Sequence, residues 1–259
     1  MIPSVIEKSV SSSQKSDAIM QWTDEGIVLG LRRHGEASAV LHLLTSGYGR
    51  HAGLVRGATS ARLRGLLQPG NRLRATWRAR LADHLGSYSI EPVATRSAAF
   101  IEDGAALDAL NAVCALVMVT IPEREPHRAI FDGLDLLISA LEDRALWPAL
   151  LVRWELGLLQ ELGFALDLTR CAVTGQQDTL THVSPRTGRA VSQRAAGPYE
   201  GRLLPLPPFL LGSQAVPASL EEIREGLKLT GHFLDNWALA PHGLTLPDAR
   251  QRFMSRLFH

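Results

Sequence analysis

The residues of this chain that could do chemistry are arginines. Arg72, Arg74, Arg78 and Arg80 alternate with Leu73, Ala75, Trp77, Ala79 and Leu81, and Thr76 completes the polar row. Side chains on a β-strand alternate between its two faces. A strand here therefore puts four guanidinium groups on one face and an apolar row on the other. Arg32, Arg33, Arg50, Arg56, Arg62 and Arg64 lie in the same stretch of chain, and no acidic residue falls between Arg50 and Arg80. Guanidinium groups bind phosphate oxygens in a bidentate fork. A surface of this kind displaces counterions from DNA and binds it with little sequence preference. These ten arginines are the candidate DNA-binding residues. Single-stranded and double-stranded DNA are the expected ligands.

Signals for catalysis are absent. The chain contains no GxxxxGK[ST], GxGxxG, HExxH or GxSxG. The carboxylate pairs Glu102-Asp103 and Glu142-Asp143 are adjacent residues, which point in different directions on a helix and suit solvated helix ends. His34, His42 and His51 have no Cys or carboxylate at ligand spacing. No catalytic residue, metal or cofactor is expected. A small-molecule hydrolase would need a nucleophile–base pair that is not there.

Composition bounds the frame around the arginines. The 259 residues allow one large or two ordinary domains, and 46% hydrophobic residues suit a sizeable core. Cys114 and Cys171 make no disulfide framework and fit a reducing cytoplasm. The longest apolar stretch, residues 112–121, is too short to span a membrane. The net charge of +1 hides an asymmetry. Residues 20–96 carry 11 Arg and no Lys against 5 acids, whereas residues 97–259 carry 14 Lys plus Arg against 19 acids. A basic, polyanion-facing unit is thus joined to an acidic one. The acidic half is not expected to add a second broad DNA surface. Residues 1–19 are Ser-rich, lack the apolar core of a secretory signal, and are expected to be a disordered tail or a misplaced start before Met20.

Five short strands are predicted over residues 24–93: 26–31, 39–45, 50–57, the arginine strand, and 85–91 stopping at Pro92. Turns at Ser46-Gly47-Tyr48-Gly49 and Gln68-Pro69-Gly70-Asn71 separate them. Five strands in so short a stretch suit a small closed barrel of the OB type. Trp22, Tyr48, Trp77 and Tyr88 are its aromatics, and strand parity puts Trp77 in the core, so backbone electrostatics should outweigh base stacking. From Asp103 onward the apolar spacing becomes helical. Helices are predicted over about 105–118, 126–143 and 147–162, the last stopped by Gly163, and over 219–237 and 246–258. Residues 167–208 read as an irregular insertion. The fold class is α+β, with an N-terminal OB-fold β-barrel at 20–96 and an all-α helical domain at 97–259.

Taken in order, these residues resemble the bacterial RecO DNA repair proteins. The resemblance rests on Asp24-Glu25-Gly26-Ile27-Val28-Leu29 with Gly35-Glu36, on Gly49-Arg50, Val55-Arg56-Gly57 and Leu67-Gln68-Pro69-Gly70. In the helical half it rests on Arg153-Trp154-Glu155-Leu156-Gly157-Leu158-Leu159 with Leu162-Gly163-Phe164, on Cys171-Ala172-Val173-Thr174-Gly175 and on residues 183–192. It implies a recombination mediator in the cytoplasm, associated with the nucleoid, that anneals complementary strands, pairs with RecR, binds the C-terminal tail of SSB, and assists RecA loading onto SSB-coated DNA. An acidic, apolar-ended tail needs an apolar pocket with a basic rim, and Arg124, Arg128, Arg153, Arg224 and Lys228 are the rim candidates. Many relatives carry two CxxC pairs in the insertion, at zinc-ribbon spacing. Here Cys171 stands alone, so the insertion is expected to hold no zinc and to be anchored by Val173, Val183, Val191 and Leu203. The competing reading is an OB-fold protein that contacts RNA or ribosomes, since the fold serves both nucleic acids.

Overall fold

The structure, a computed structural model, describes residues 19–100, 102–177, 179–212 and 217–258. Residues 1–18, most of the expected tail, lie outside the described residues. Strands β1 (Met20–His34), β2 (Ser38–Thr45) and β3 (Gly49–Val55) are followed by the short helix α1 (Ala61–Leu66), then β4 (Arg72–Ala79) and β5 (Ser87–Ala94). They close into a barrel in the order β1-β2-β3-β5-β4, with β1 also paired to β4. β3 and β5 meet in parallel at Leu54 and Ser87. This is the OB arrangement.

β1 is long because it serves two partners. Met20 to Ile27 pair with β4, and Gly26 to His34 pair with β2, with a register shift between Val28 and Gly30. Such a bulge bends a strand from one sheet face to the next. β5 runs through Pro92 to Ala94 rather than stopping at the proline. The ladder is irregular opposite it, between Arg72 and Leu73, and Leu54–Ser87 is the only β3–β5 pair among the described residues. Irregular and edge positions tolerate a missing N–H. Helix α1, absent from the predicted elements, is too short for apolar periodicity to reveal. Ser60 caps it by accepting from the Leu63 amide. Val28, Leu41, Leu43, Leu73, Ala75, Trp77 and Tyr88 fill the barrel.

The helical part opens with α2 (Gly104–Thr120), where Asp103 accepts from the amides of Ala105 and Ala106. α3 (Arg128–Ala140) and α4 (Trp147–Glu161) follow. Pro148 sits in the first turn of α4, and Gly163 ends the helix at φ +86°. The insertion is more ordered than predicted. β6 (Leu180–Val183), β7 (Ala190–Ser192) and β8 (Leu204–Pro205) form a sheet in the order β7-β6-β8, and α5 (Gln193–Ala196) follows β7. Val183 and Val191 are buried and Leu203 packs against the core, as expected. Val173 is 73% exposed, a correction. It lies in the tight turn that Gly175 closes by donating to the Cys171 carbonyl, and the turn directs it outward. α6 (Leu220–Phe233) starts with a Ser219/Glu222 capping box and widens into a π turn at Leu234–Leu239. α7 (Asp248–Phe258) packs on α2. No helix of the described residues is long and apolar enough to cross a membrane.

One apolar cluster ties barrel to helices. Ile27, Leu29 and Leu44, on the barrel's outer side, join Leu110, Val113, Cys114 and Val117 of α2 and the apolar residues beyond.

Candidate nucleic-acid interface

β4 has the alternation its sequence implies. Leu73, Ala75 and Trp77 are buried, Arg74 and Arg78 are exposed, and Arg72 is intermediate. Arg80 is exposed just past the last strand residue. The neighbouring strands add groups that a count along the chain passes over. Glu25 on β1 pairs with Arg72 at 2.8 Å and Arg74 at 3.2 Å, and Gln21 accepts from Arg78 at 2.7 Å. Glu91 on β5 stands opposite Arg74. Arg72 also reaches Asp135 of α3 at 2.7 Å and lies over the Phe131 ring. Arg50 points the same way, donating to the Ile121 carbonyl at 2.7 Å and pairing with Glu123 at 3.0 Å. Arg50 and Arg72 thus face the helical part.

The other arginines gather at one rim. Arg32 and Arg33 are exposed at the end of β1. The register Arg33–Ala39–Val55 places Arg56, just past β3, on the same rim, and α1 with exposed Arg62 and Arg64 follows. Among the described residues, no carboxylate forms an ion pair with Arg32, Arg33, Arg56, Arg62 or Arg64.

Directly opposed residues share a sheet face. Arg32, Val40 and Leu54 form one outer row across β1, β2 and β3, and Gly30, His42 and Ala52 form the next. Leu44 and Arg50 make a third, which residues 121–125 cover: the Arg124 amide donates to the Arg50 carbonyl at 2.8 Å, and a Cβ on Gly49 would lie 1.9 Å from the Glu125 carbonyl oxygen. The first two rows lie between the β1–β2 turn and the β4–β5 loop, the region where OB-folds hold oligonucleotides. Sequence reasoning missed this face, because Val40, Ala52 and Leu54 carry no chemical signal of their own. Burial pushes the His42 imidazole below its ordinary value; Glu123 opposes this, and Arg50 and Arg32 reinforce it.

The β4–β5 loop beside this face is tied down through its backbone. Arg124, itself at φ +64°, donates to the carbonyls of Ala82, Asp83 and His84. Trp77 Nε1 donates to Leu85 at 2.9 Å, and the Leu54 amide donates to Gly86 at 3.1 Å. Of the barrel's aromatic rings, Tyr48 is exposed and the others are buried or partly so. Trp77 and Tyr88 are buried, and Trp22 stacks on Tyr48 at 4.3 Å and meets His51 edge-on at 4.9 Å.

Comparison with known proteins decides the family. The models "Recombination protein O N terminal" and "Recombination protein O C terminal" match residues 20–96 and 101–243. The chain belongs to the RecO family. It is 52% identical over 240 residues to the DNA repair protein RecO of Cereibacter sphaeroides, covering 92% of this chain and 99% of that one. The Rhodospirillum centenum protein of the same name is 52% identical over 239 residues, covering 92% and 94%. The Rhodospirillum rubrum protein, also so named, is 47% identical over 244 residues, covering 92% and 97%.

In this RecO-family chain the helical part carries a groove of about 240 Å³ between α3 and α4. Ile130, Gly133, Leu136, Leu137, Leu150 and Trp154 are among its lining residues, and Arg153 borders it. Trp154 Nε1 is buried there with no hydrogen-bond partner among the described residues. Of the other rim candidates, Arg124 holds the β4–β5 loop, Arg128 pairs with Asp132 at 2.9 Å, Arg224 pairs with Glu221 at 2.6 Å, and Lys228 is exposed on α6. In the insertion, the buried Cys171 sulfur accepts from the amides of Ser192 at 3.3 Å and Thr174 at 3.5 Å. Among the described residues no three His, Cys, Asp or Glu come together as a metal site.

Proposed function

We propose that this RecO-family chain is a DNA repair protein that works as a recombination mediator and not as an enzyme. In this reading the barrel binds single-stranded and double-stranded DNA through phosphates, and complementary strands anneal on it. The protein then acts with RecR to assist RecA loading onto SSB-coated DNA in the cytoplasm, at the nucleoid. The observation that carries the reading is the rim of Arg32, Arg33, Arg56, Arg62 and Arg64, with no acid paired to it among the described residues, beside the partly exposed outer face of β1, β2 and β3. Arg74, Arg78 and Arg80 extend the surface, with Arg74 and Arg78 giving up Glu25 and Gln21 to a phosphate. Arg50 and Arg72 add positive potential from behind. Support also comes from the relatives, which are named as DNA repair proteins.

The test is a salt-dependent titration against single-stranded DNA, duplex DNA and RNA, followed by a strand-annealing assay. Log affinity should fall linearly with log salt for both DNAs, and annealing should accelerate. Tight binding to RNA alone, with no annealing, would favour the competing RNA reading.

The α3–α4 groove supports the SSB assignment. Its floor is apolar, Trp154 Nε1 has no partner among the described residues, and Arg153, whose Nη2 donates to the carbonyls of Phe209 at 2.7 Å and Gly212 at 3.3 Å, places a cation at the edge that an acidic, apolar-ended tail requires. An SSB tail peptide should bind with an affinity that falls about tenfold on Arg153→Ala, the loss of about 1.4 kcal/mol. Equal binding by the variant overturns the placement.

A further inference from the structure

The β4–β5 loop presents apolar side chains where a nucleic-acid surface would ordinarily present polar ones. Leu81 is 56% exposed and Leu85 is 40% exposed. Their exposure is built in. Every carbonyl from Leu81 to Gly86 is bonded back into the protein: Leu81 accepts from the His84 amide, Ala82, Asp83 and His84 from the Arg124 guanidinium, Leu85 from Trp77 Nε1, and Gly86 from the Leu54 amide. A loop anchored through its backbone orients its side chains in advance, so a partner that packs on them meets a surface already ordered.

We infer that Leu81 and Leu85 form a wedge that packs against unstacked bases, so that the barrel distinguishes single-stranded from paired DNA. The inference rests on the reading that the barrel binds DNA. Charge complementarity selects the occupant. The loop borders the row Ser87–Leu54–Val40–Arg32, which spans three strand spacings, roughly 14 Å, and ends at the arginine rim. A strand whose phosphates follow Arg32, Arg33 and Arg56 carries its bases toward the loop. Bases freed from a duplex need an apolar surface, and no exposed aromatic ring of the barrel stands beside this loop: Trp77 and Tyr88 are buried, and the exposed Tyr48, stacked on Trp22, precedes β3 at the end of that strand away from Leu54. Paired bases stay stacked and offer the leucines nothing, so the wedge adds affinity for single strands only.

The experiment compares the full chain with Leu81→Ala and with Leu81→Ala/Leu85→Ala, using oligonucleotides carrying one 2-aminopurine. Single-strand affinity should fall about tenfold in the double variant, duplex affinity should stay within about twofold, and the salt slope should not change, because no phosphate contact is lost. The 2-aminopurine fluorescence change on binding should shrink in both variants. The Leu81 variant alone keeps the test valid if the double variant melts early. Equal losses for single strands and duplex, or no loss for either, overturn the wedge while leaving DNA binding intact. A wild-type chain that binds no DNA overturns the functional reading and the wedge together.

Discussion

Arg72 and Asp135 meet at 2.7 Å across the seam between barrel and helices, and Arg96 takes the other carboxylate oxygen of Asp135 at 2.7 Å. Two cations therefore share one acid, with Glu25 as the second partner of Arg72. Asp135→Ala should lower stability by about 1–2 kcal/mol, because two partly buried guanidinium groups are left facing each other. Calorimetry measures the loss. Single-strand affinity should be unchanged, since the seam lies away from the arginine rim; a large drop in affinity would place the seam within the binding surface.

The rim and the strand row should separate in salt dependence. Arg32→Ala/Arg33→Ala should weaken binding to all sequences alike and reduce the salt slope by about one per lost phosphate contact. Arg74→Ala/Arg78→Ala should do the same to a smaller extent, because Glu25 and Gln21 already engage those groups. An unchanged slope in both double variants would remove the arginines from the interface.

Within the helical part, Glu155 accepts from Arg250 Nε and Nη2 at 2.8 Å each, and Thr230 donates to the same carboxylate. All three are buried. Glu155→Ala strands a buried cation and should cost about 3–5 kcal/mol in urea denaturation. Glu155→Met/Arg250→Leu should cost less than the single change, because no charge is left unpaired. A single variant within 1 kcal/mol of wild type, on the order of an exposed pair, would contradict this account.

Burial pushes the His51 imidazole in the barrel down to about 4, with the Arg124 charge acting in the same direction. Nδ1 lies 2.9 Å from the Tyr88 hydroxyl. The folded state therefore binds this proton less readily than the unfolded chain, whose histidine titrates near 6.5. The stabilising contribution is fully present above pH 6.5 and is lost as pH falls toward 4, in total up to about 3 kcal/mol. Urea midpoints should fall between pH 7 and pH 5, and His51→Gln should flatten that dependence. An equal fall in the variant would assign it to other groups.

Elemental analysis of chelator-free protein should find no zinc above background, because the Cys171 sulfur accepts from the amides of Ser192 and Thr174 and, among the described residues, no three His, Cys, Asp or Glu gather as a metal site. About one zinc per chain would refute this.

Much of the barrel was legible because strands declare themselves by parity. The alternation at 72–79 gives the buried and exposed faces of β4 directly, and turn residues mark the hairpins. Helices α2 to α4 were legible from apolar spacing, Pro148 and Gly163. Helix α1 and the small sheet of the insertion were not. Elements of two to six residues carry too few positions for a period to emerge, and tertiary contacts hold them in place.

The candidate interface divides along the same line. Residue type and strand parity determined that a basic barrel face exists and which arginines could belong to it. Which of them face solvent without a partner was decided by pairing across the sheet and across the seam. Glu25 is 47 residues before Arg72 in sequence and Asp135 is 63 after it, yet both touch it. Arg124, on the helical side, fixes a barrel loop by the same kind of distant contact. Charge counted along a chain measures composition, whereas a phosphate responds to the field at a surface, and that field is set by neighbours that only folding brings together.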